Sequence, residues 1–91
     1  MSIQGRYWCF TDFECRTDYS EWGAKYLIYG VEECPTTKKM HHQGYCEFET
    51  NQRLTTLGKK YRCNFERRKG TAEQAIAYCE KDGKWVEFGL S

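Results

Sequence analysis

Apolar and polar positions along this chain fall into short runs, and most of them have the period of strands. Arg6-Tyr7-Trp8-Cys9-Phe10-Thr11 is aromatic and β-prone and predicts a first strand. Residues 12–24 are polar and mixed, a loop with one helical turn around Tyr19 to Gly23. Lys25-Tyr26-Leu27-Ile28-Tyr29-Gly30-Val31-Glu32 carries the strongest strand signal in the chain. Glu33 to Met40, with Pro35 and two threonines, reads as a hairpin-type loop, and His41 to Phe48 as the strand that pairs back across it.

The period then changes. Thr50 has the character of an N-cap, and Asn51 to Tyr61 reads as a helix with Leu54 and Leu57 on one face, weakened by Gly58. Arg62-Cys63-Asn64-Phe65-Glu66 returns to strand, and Lys69-Gly70 is a turn. Thr71-Ala72-Glu73-Gln74 has the spacing of a capping box and opens a helix through Tyr78 to about Lys81. Asp82-Gly83 ends it, and Lys84-Trp85-Val86-Glu87-Phe88 is a last strand. The order β, short α, β, β, α, β, α, β predicts an α+β fold: a mainly antiparallel five-stranded sheet with helices packed on at least one face.

Composition changes this picture little. Ninety-one residues make one domain with a modest core, and one proline with eight glycines argues against disorder. No apolar run approaches the roughly 20 residues that span a bilayer, so no membrane partner is expected. The opening Met1-Ser2-Ile3-Gln4-Gly5-Arg6 lacks an apolar stretch and predicts no secretory signal. The six cysteines, at 9, 15, 34, 46, 63 and 79, contain no Cys-x-x-Cys pair, so free thiols in a reducing compartment are expected. Cys9, Cys46 and Cys63 fall in strand-like runs, where cysteine behaves as a small apolar residue.

Charge is more informative once divided. The net +1 hides a basic block: residues 51–70 hold Arg53, Lys59, Lys60, Arg62, Arg67, Arg68 and Lys69 against the single acid Glu66. A concentrated positive block in a nearly neutral domain fits an anionic partner such as a nucleic-acid backbone, and it fits a solvated surface equally well.

Two stretches carry candidate chemistry. On a strand, His41 and Gln43 point to one face, while His42, Gly44, Cys46 and Phe48 point to the other. Tyr26, Ile28, Gly30 and Glu32 share a face of the preceding strand, and a hairpin would bring Glu32 near His41. One carboxylate, one imidazole and one amide oxygen leave coordination positions open, which suits Mg2+ or Mn2+ better than a closed structural zinc site. Alone, His-x-Gln is more often a surface or structural pattern. Tyr78 and Lys81 lie three apart on a helix and share a face, with Ile76 and Cys79 on an arc that can face the core. A phenol is almost wholly protonated at neutral pH, and a nearby ammonium or a metal-polarised phosphate lowers the cost of using it as a nucleophile. Alone, Tyr-x-x-Lys more often means a buried tyrosine and a solvated lysine.

Taken in order, Cys9-Phe10-Thr11, His41-His42-Gln43-Gly44-Tyr45 and Tyr78-Cys79-Glu80-Lys81 resemble the three rolling-circle replication motifs of viral replication initiator (Rep) proteins. The resemblance is to the N-terminal endonuclease domain of Reps from circular single-stranded DNA viruses of circovirus and nanovirus type and their satellites. It extends to Arg6-Tyr7-Trp8, Tyr26 to Glu32, and Phe65 through Thr71 with Gln74. The fold it implies is the HUH endonuclease, an RRM- or ferredoxin-like sandwich. One departure is clear: asparagines usually follow the first motif, where this chain has Asp12-Phe13-Glu14.

The resemblance implies an origin-specific, metal-dependent endonuclease and strand transferase. Glu32, His41 and Gln43 would hold Mg2+ or Mn2+, with Glu33 an adjacent choice for the acidic ligand; His42 takes the intervening, commonly apolar position. Tyr78 would be the nucleophile that forms a 5′-phosphotyrosine, and Lys81 its basic companion. The partners implied are single-stranded DNA at an origin stem-loop, double-stranded origin DNA and host polymerase machinery, in the host cell nucleus, with the domain itself monomeric. Lys59, Lys60, Arg67, Arg68 and Lys69 are the candidate backbone contacts. Full-length relatives of this kind carry a helicase domain, and no Gly-x-x-x-x-Gly-Lys occurs here, so residues 1–91 read as the endonuclease domain alone. A non-catalytic nucleic-acid-binding module of RRM-like fold is the alternative. It would expose aromatics at the centre of the sheet and give Tyr78 no role. A purely structural domain would leave Glu32 and His41 apart.

Overall fold

A computed structural model describes residues 3–89. Five strands form one sheet: β1 (Gln4–Asp12), β2 (Tyr26–Glu33), β3 (Met40–Arg53), β4 (Asn64–Arg67) and β5 (Trp85–Gly89). Their order across the sheet is β4-β1-β3-β2-β5, and every neighbouring pair is antiparallel. A 3-10 turn at Tyr19–Trp22 and two helices, α1 (Leu54–Tyr61) and α2 (Ala72–Glu80), complete the fold. The α+β architecture anticipated from the pattern is the one observed.

The helices cover both faces, because strand alternation gives each face its own apolar set. On the back face Trp8, Phe10, Leu27, Tyr29, Cys46 and Phe48 pack against Leu57 of α1, Tyr19 and Trp22 of the 3-10 turn, and Phe65. On the front face Tyr26, Ile28 and Tyr45 pack against Cys79 of α2, with Ala72, Ala75 and Ile76 around them. Aromatic rings supply most of the larger core. Tyr19 and Trp22 meet edge to face at 4.9 Å, and Trp22 stacks on Tyr61 at 4.4 Å.

Element boundaries depart from the sequence pattern at both ends of α1. Thr50 is not an N-cap. β3 runs on to Arg53 because Gln4 and Gly5 of β1 pair with Arg53 and Gln52, beyond an irregularity between Gly5 and Tyr7. The Leu54 amide then donates to Ile3 O at 2.9 Å, and α1 starts with Arg53 at its N-cap and no side-chain cap. Backbone pairing with a distant strand outweighs the local capping preference of a threonine. Arg62 ends α1 in the left-handed region, so Cys63 lies between helix and strand rather than within β4. The Thr71 capping box forms in full, with Thr71 Oγ1 accepting from the Gln74 amide and Gln74 Oε1 accepting from the Thr71 amide. All six cysteines are free thiols.

Candidate active site

The β2–β3 register builds the first half of the site. Glu32 is the direct cross-strand partner of His41, and Gly30 of Gln43. The Glu32 Oε1 to His41 Nε2 distance is 3.8 Å. On the other side of β3, Thr11 of β1 lies opposite Gln43 and donates its hydroxyl to Gln43 Oε1 at 3.3 Å. Glu32, His41 and Gln43 therefore share the front face, as alternation requires. Register also separates the two adjacent glutamates: Glu32 turns inward to His41, whereas the exposed Glu33 lies 4.0 Å from Lys38 in the loop.

Two polar atoms in this set, Glu32 Oε2 and His41 Nδ1, are buried and have no hydrogen-bond partner. Buried polar groups are nearly always satisfied, so such a pair points to a missing partner. Two hard oxygen donors, from carboxylate and amide, with one borderline imidazole nitrogen form an open donor set that Mg2+ or Mn2+ would fit. Among the described residues no group of three or more His, Cys, Asp or Glu is placed to hold a metal, so a site here depends on the glutamine.

Helix α2 builds the second half. It lies close over β2 because Gly30 has no side chain: a Cβ there would sit 2.0 Å from the Cys79 carbonyl oxygen. Cys79, on the buried side of α2, has its thiol pushed up to about 12 by burial and serves as a core residue. Tyr78, one position earlier, is 46% exposed. Lys81 at the C-cap joins the two halves, with Nζ 3.2 Å from Glu32 Oε1 and 4.1 Å from the centre of the Tyr78 ring. Desolvation works to lower the Lys81 amine, but the Tyr78 and Glu32 oxygens outweigh it and raise the group.

The predicted basic contacts divide. Arg68 and Lys69 line a cleft with Tyr78, Cys9 and Gln74, and a larger cleft continues past them along Ile3 to Tyr7. Arg67, cross-strand partner of Trp8, turns its side chain to the other face and donates to Gln4 O at 3.2 Å. Arg68 is largely committed within the fold: it donates to Tyr45 Oη at 2.8 Å and Gly70 O at 3.0 Å and lies over the Tyr7 ring. Lys59 and Lys60 are not brought to this site. They sit on α1, whose apolar face packs on the back of the sheet, so the sheet separates them from Tyr78.

Sequence reasoning missed the network behind β3. His42 is buried on the back face, where Tyr29 stacks on it at 4.4 Å. Its Nδ1 lies 2.7 Å from Tyr19 Oη, which also reaches Asp12 Oδ2 at 2.6 Å. A hydroxyl has one proton; given to Asp12, it leaves His42 Nδ1–H as donor to the tyrosine oxygen. Burial pushes the His42 imidazole down, consistent with a neutral ring. Asp12 and His42 are direct cross-strand partners, so this network ties β1 to β3 at the residue that separates His41 from Gln43. The signal available in the sequence was alternation itself, which sets 10, 12, 42 and 44 on the back face.

A five-stranded antiparallel sheet, with a His-x-Gln strand and a Tyr-x-x-Lys helix meeting on one face, defines the class. Residues 5–82 match the family "Putative viral replication protein", and the chain belongs to it: a Rep domain of the kind found in circular single-stranded DNA viruses and satellites. It is 36% identical over 67 residues to the replication-associated protein of Human associated cyclovirus 1, an alignment covering 71% of this chain and 24% of that protein. It is 34% identical over 92 residues to Para-Rep C1 of the Faba bean necrotic yellows C11 alphasatellite, covering 90% of this chain and 33% of that protein. The chain thus spans about a quarter to a third of the length of these curated relatives.

Proposed function

We propose that this domain nicks and rejoins single-stranded DNA at a viral origin through a covalent bond to Tyr78. The observation that carries the reading is Lys81, which contacts both the candidate nucleophile and Glu32 of the candidate metal site on one face. Tyr78 Oη attacks the scissile phosphorus. The new bond is Tyr–O–P to the 5′ phosphate and the P–O3′ bond breaks; the phenol gives up its proton and the leaving O3′ takes one to become a free 3′-OH, so no proton is consumed or released overall. Attack by a later 3′-OH on the phosphotyrosine reverses these changes and joins the strand without nucleotide hydrolysis. Lys81 orients the phenol and balances negative charge at the phosphate. Glu32, His41 and Gln43 would hold Mg2+ or Mn2+, which supplies Lewis-acid polarisation of the phosphate worth several kcal/mol. Lys69, at the Tyr78 cleft, positions the strand through its backbone. Origin recognition, host polymerase as the enzyme that extends the 3′ end, and action in the host nucleus belong to the same proposal.

The RRM-like binding alternative finds little support. Tyr45, the aromatic at the centre of the front face, is buried under α2 rather than presented to bases.

The test is incubation with Mn2+ and a labelled single-stranded oligonucleotide carrying the stem-loop origin of a circular single-stranded DNA virus. The expected product is a denaturation-resistant protein–DNA adduct, lost with Tyr78→Phe and with chelator. An undiminished adduct with Tyr78→Phe would overturn the nucleophile assignment.

A further inference from the structure

Phe13 occupies a position where the resemblance leads one to expect an asparagine. It is 64% exposed, more than any other large hydrophobic residue described. An isolated exposed phenylalanine is ordinary on a protein surface and needs no explanation by itself. Three observations set this one apart.

The first is its neighbour. The Phe13 ring lies 5.7 Å from the ring of His41 at an interplanar angle of 42°. It therefore borders the candidate metal site directly. The second is its face. Cys9 and Thr11 of β1 point to the front of the sheet, with Gln43 and α2, and Phe13 continues that alternation just past the strand end. The third is its rigidity. Asp12 Oδ1 accepts the Glu14 amide at 2.9 Å and Oδ2 accepts the Arg16 amide at 3.1 Å, closing the turn around Phe13. Asp12 is itself fully buried and held by Tyr19. Arg16 ties the far side of the turn to the Tyr61 carbonyl and to Glu14. The turn thus fixes the backbone that carries this exposed ring beside the site.

We infer that Phe13 is a stacking platform for a base of single-stranded DNA lying across the front face beside His41. This rests on the reading of the front face as a single-stranded DNA site. Stacking on an aromatic ring is tolerant of base identity, because every base presents a π face. Its role is to fix the strand's position along the site, so that one phosphate rather than its neighbours faces Tyr78. An asparagine at this place would offer hydrogen bonds to a base edge; the phenylalanine exchanges these for stacking.

The test is fluorescence anisotropy with a labelled (dT)20 strand in chelator, so that no cleavage intervenes. Phe13→Ala is expected to weaken binding roughly five- to hundredfold. Phe13→Leu, which keeps apolar area without a π face, should bind as weakly as Phe13→Ala, and Phe13→Trp should restore affinity. A 20-mer of abasic residues keeps the phosphates and removes the bases; wild type and Phe13→Ala should bind it equally. Unchanged (dT)20 binding by Phe13→Ala overturns the inference. So does rescue by Phe13→Leu, or a Phe13→Ala deficit that persists on the abasic strand. The adduct assay separates this from the wider reading: a Phe13→Ala deficit without any Tyr78 adduct in wild type leaves the stacking site standing and removes the cleavage proposal.

Discussion

Asp12 does two jobs with one carboxylate. It closes the turn that carries Phe13, and it receives the Tyr19 hydroxyl that in turn meets His42. Burial alone would raise its pKa. Hydrogen bonds from Tyr19 and from the Arg16 and Glu14 amides, with the Arg16 guanidinium nearby, outweigh that and hold the carboxyl below the ordinary value. Its ionised form therefore stabilises the fold fully above the unfolded value near 4, and that contribution is lost as pH falls through the lower folded value. Asp12→Asn should cost about 1–3 kcal/mol at pH 7. In urea titrations the gap between wild type and variant should narrow as the pH is taken down through the acid range, and a gap independent of pH would contradict this account.

At the scale of elements, the site depends on how closely α2 lies over β2. Gly30 permits that approach, and the back face has a matching case at Gly44, where a Cβ would fall 2.0 Å from the tip of the Phe10 ring. Gly30→Ala should push the end of α2 off the sheet, at a cost of about 1–3 kcal/mol as an overpacking change. Tyr78 and Lys81 would move with the helix while Glu32, His41 and Gln43 stayed in register on their strands. The expected outcome is a lower urea midpoint together with a loss of adduct formation larger than unfolding explains. Full adduct yield from the folded fraction would show that this contact does not set the site. Most elements were legible in the chain: the Tyr26–Glu33 run, the Thr71 capping box and the Asp82-Gly83 stop all lie where their local chemistry places them. The start of α1 was not. Its boundary is decided by Gln4 and Gly5, nearly fifty residues away in sequence, and no local preference of Thr50 reports on that pairing.

For the whole molecule, the sheet acts as a wall between two jobs. Its back carries the larger aromatic core, and its front carries the candidate chemistry with a smaller core under α2. A metal that binds only the folded front face must stabilise the entire domain, by about 2.7 kcal/mol at a free concentration one hundred times its Kd. Thermal melts in Mn2+ should therefore shift upward for wild type, and the shift should vanish in His41→Ala and Glu32→Gln. An unmoved wild-type melt would remove the metal from this site, whatever the adduct assay gave. The same wall explains the one division among the basic residues: Arg68 and Lys69, past the end of β4, reach the Tyr78 cleft, while Arg67 opposite Trp8 and Lys59 and Lys60 on α1 stay on the other side.

The sequence alone determined the classes of residue available and their faces. Alternation set His41 with Gln43, helical period set Tyr78 with Lys81, and the order of three short motifs carried the family. These are properties of neighbours in the chain, which backbone geometry fixes locally. Tertiary structure decided what lies between distant segments: that Glu32 rather than Glu33 meets His41, that Lys81 spans from the phenol to the carboxylate, and that Phe13 stands beside the site. Strand register and helix docking are set by the packing of the entire sheet, so no single stretch of sequence contains them.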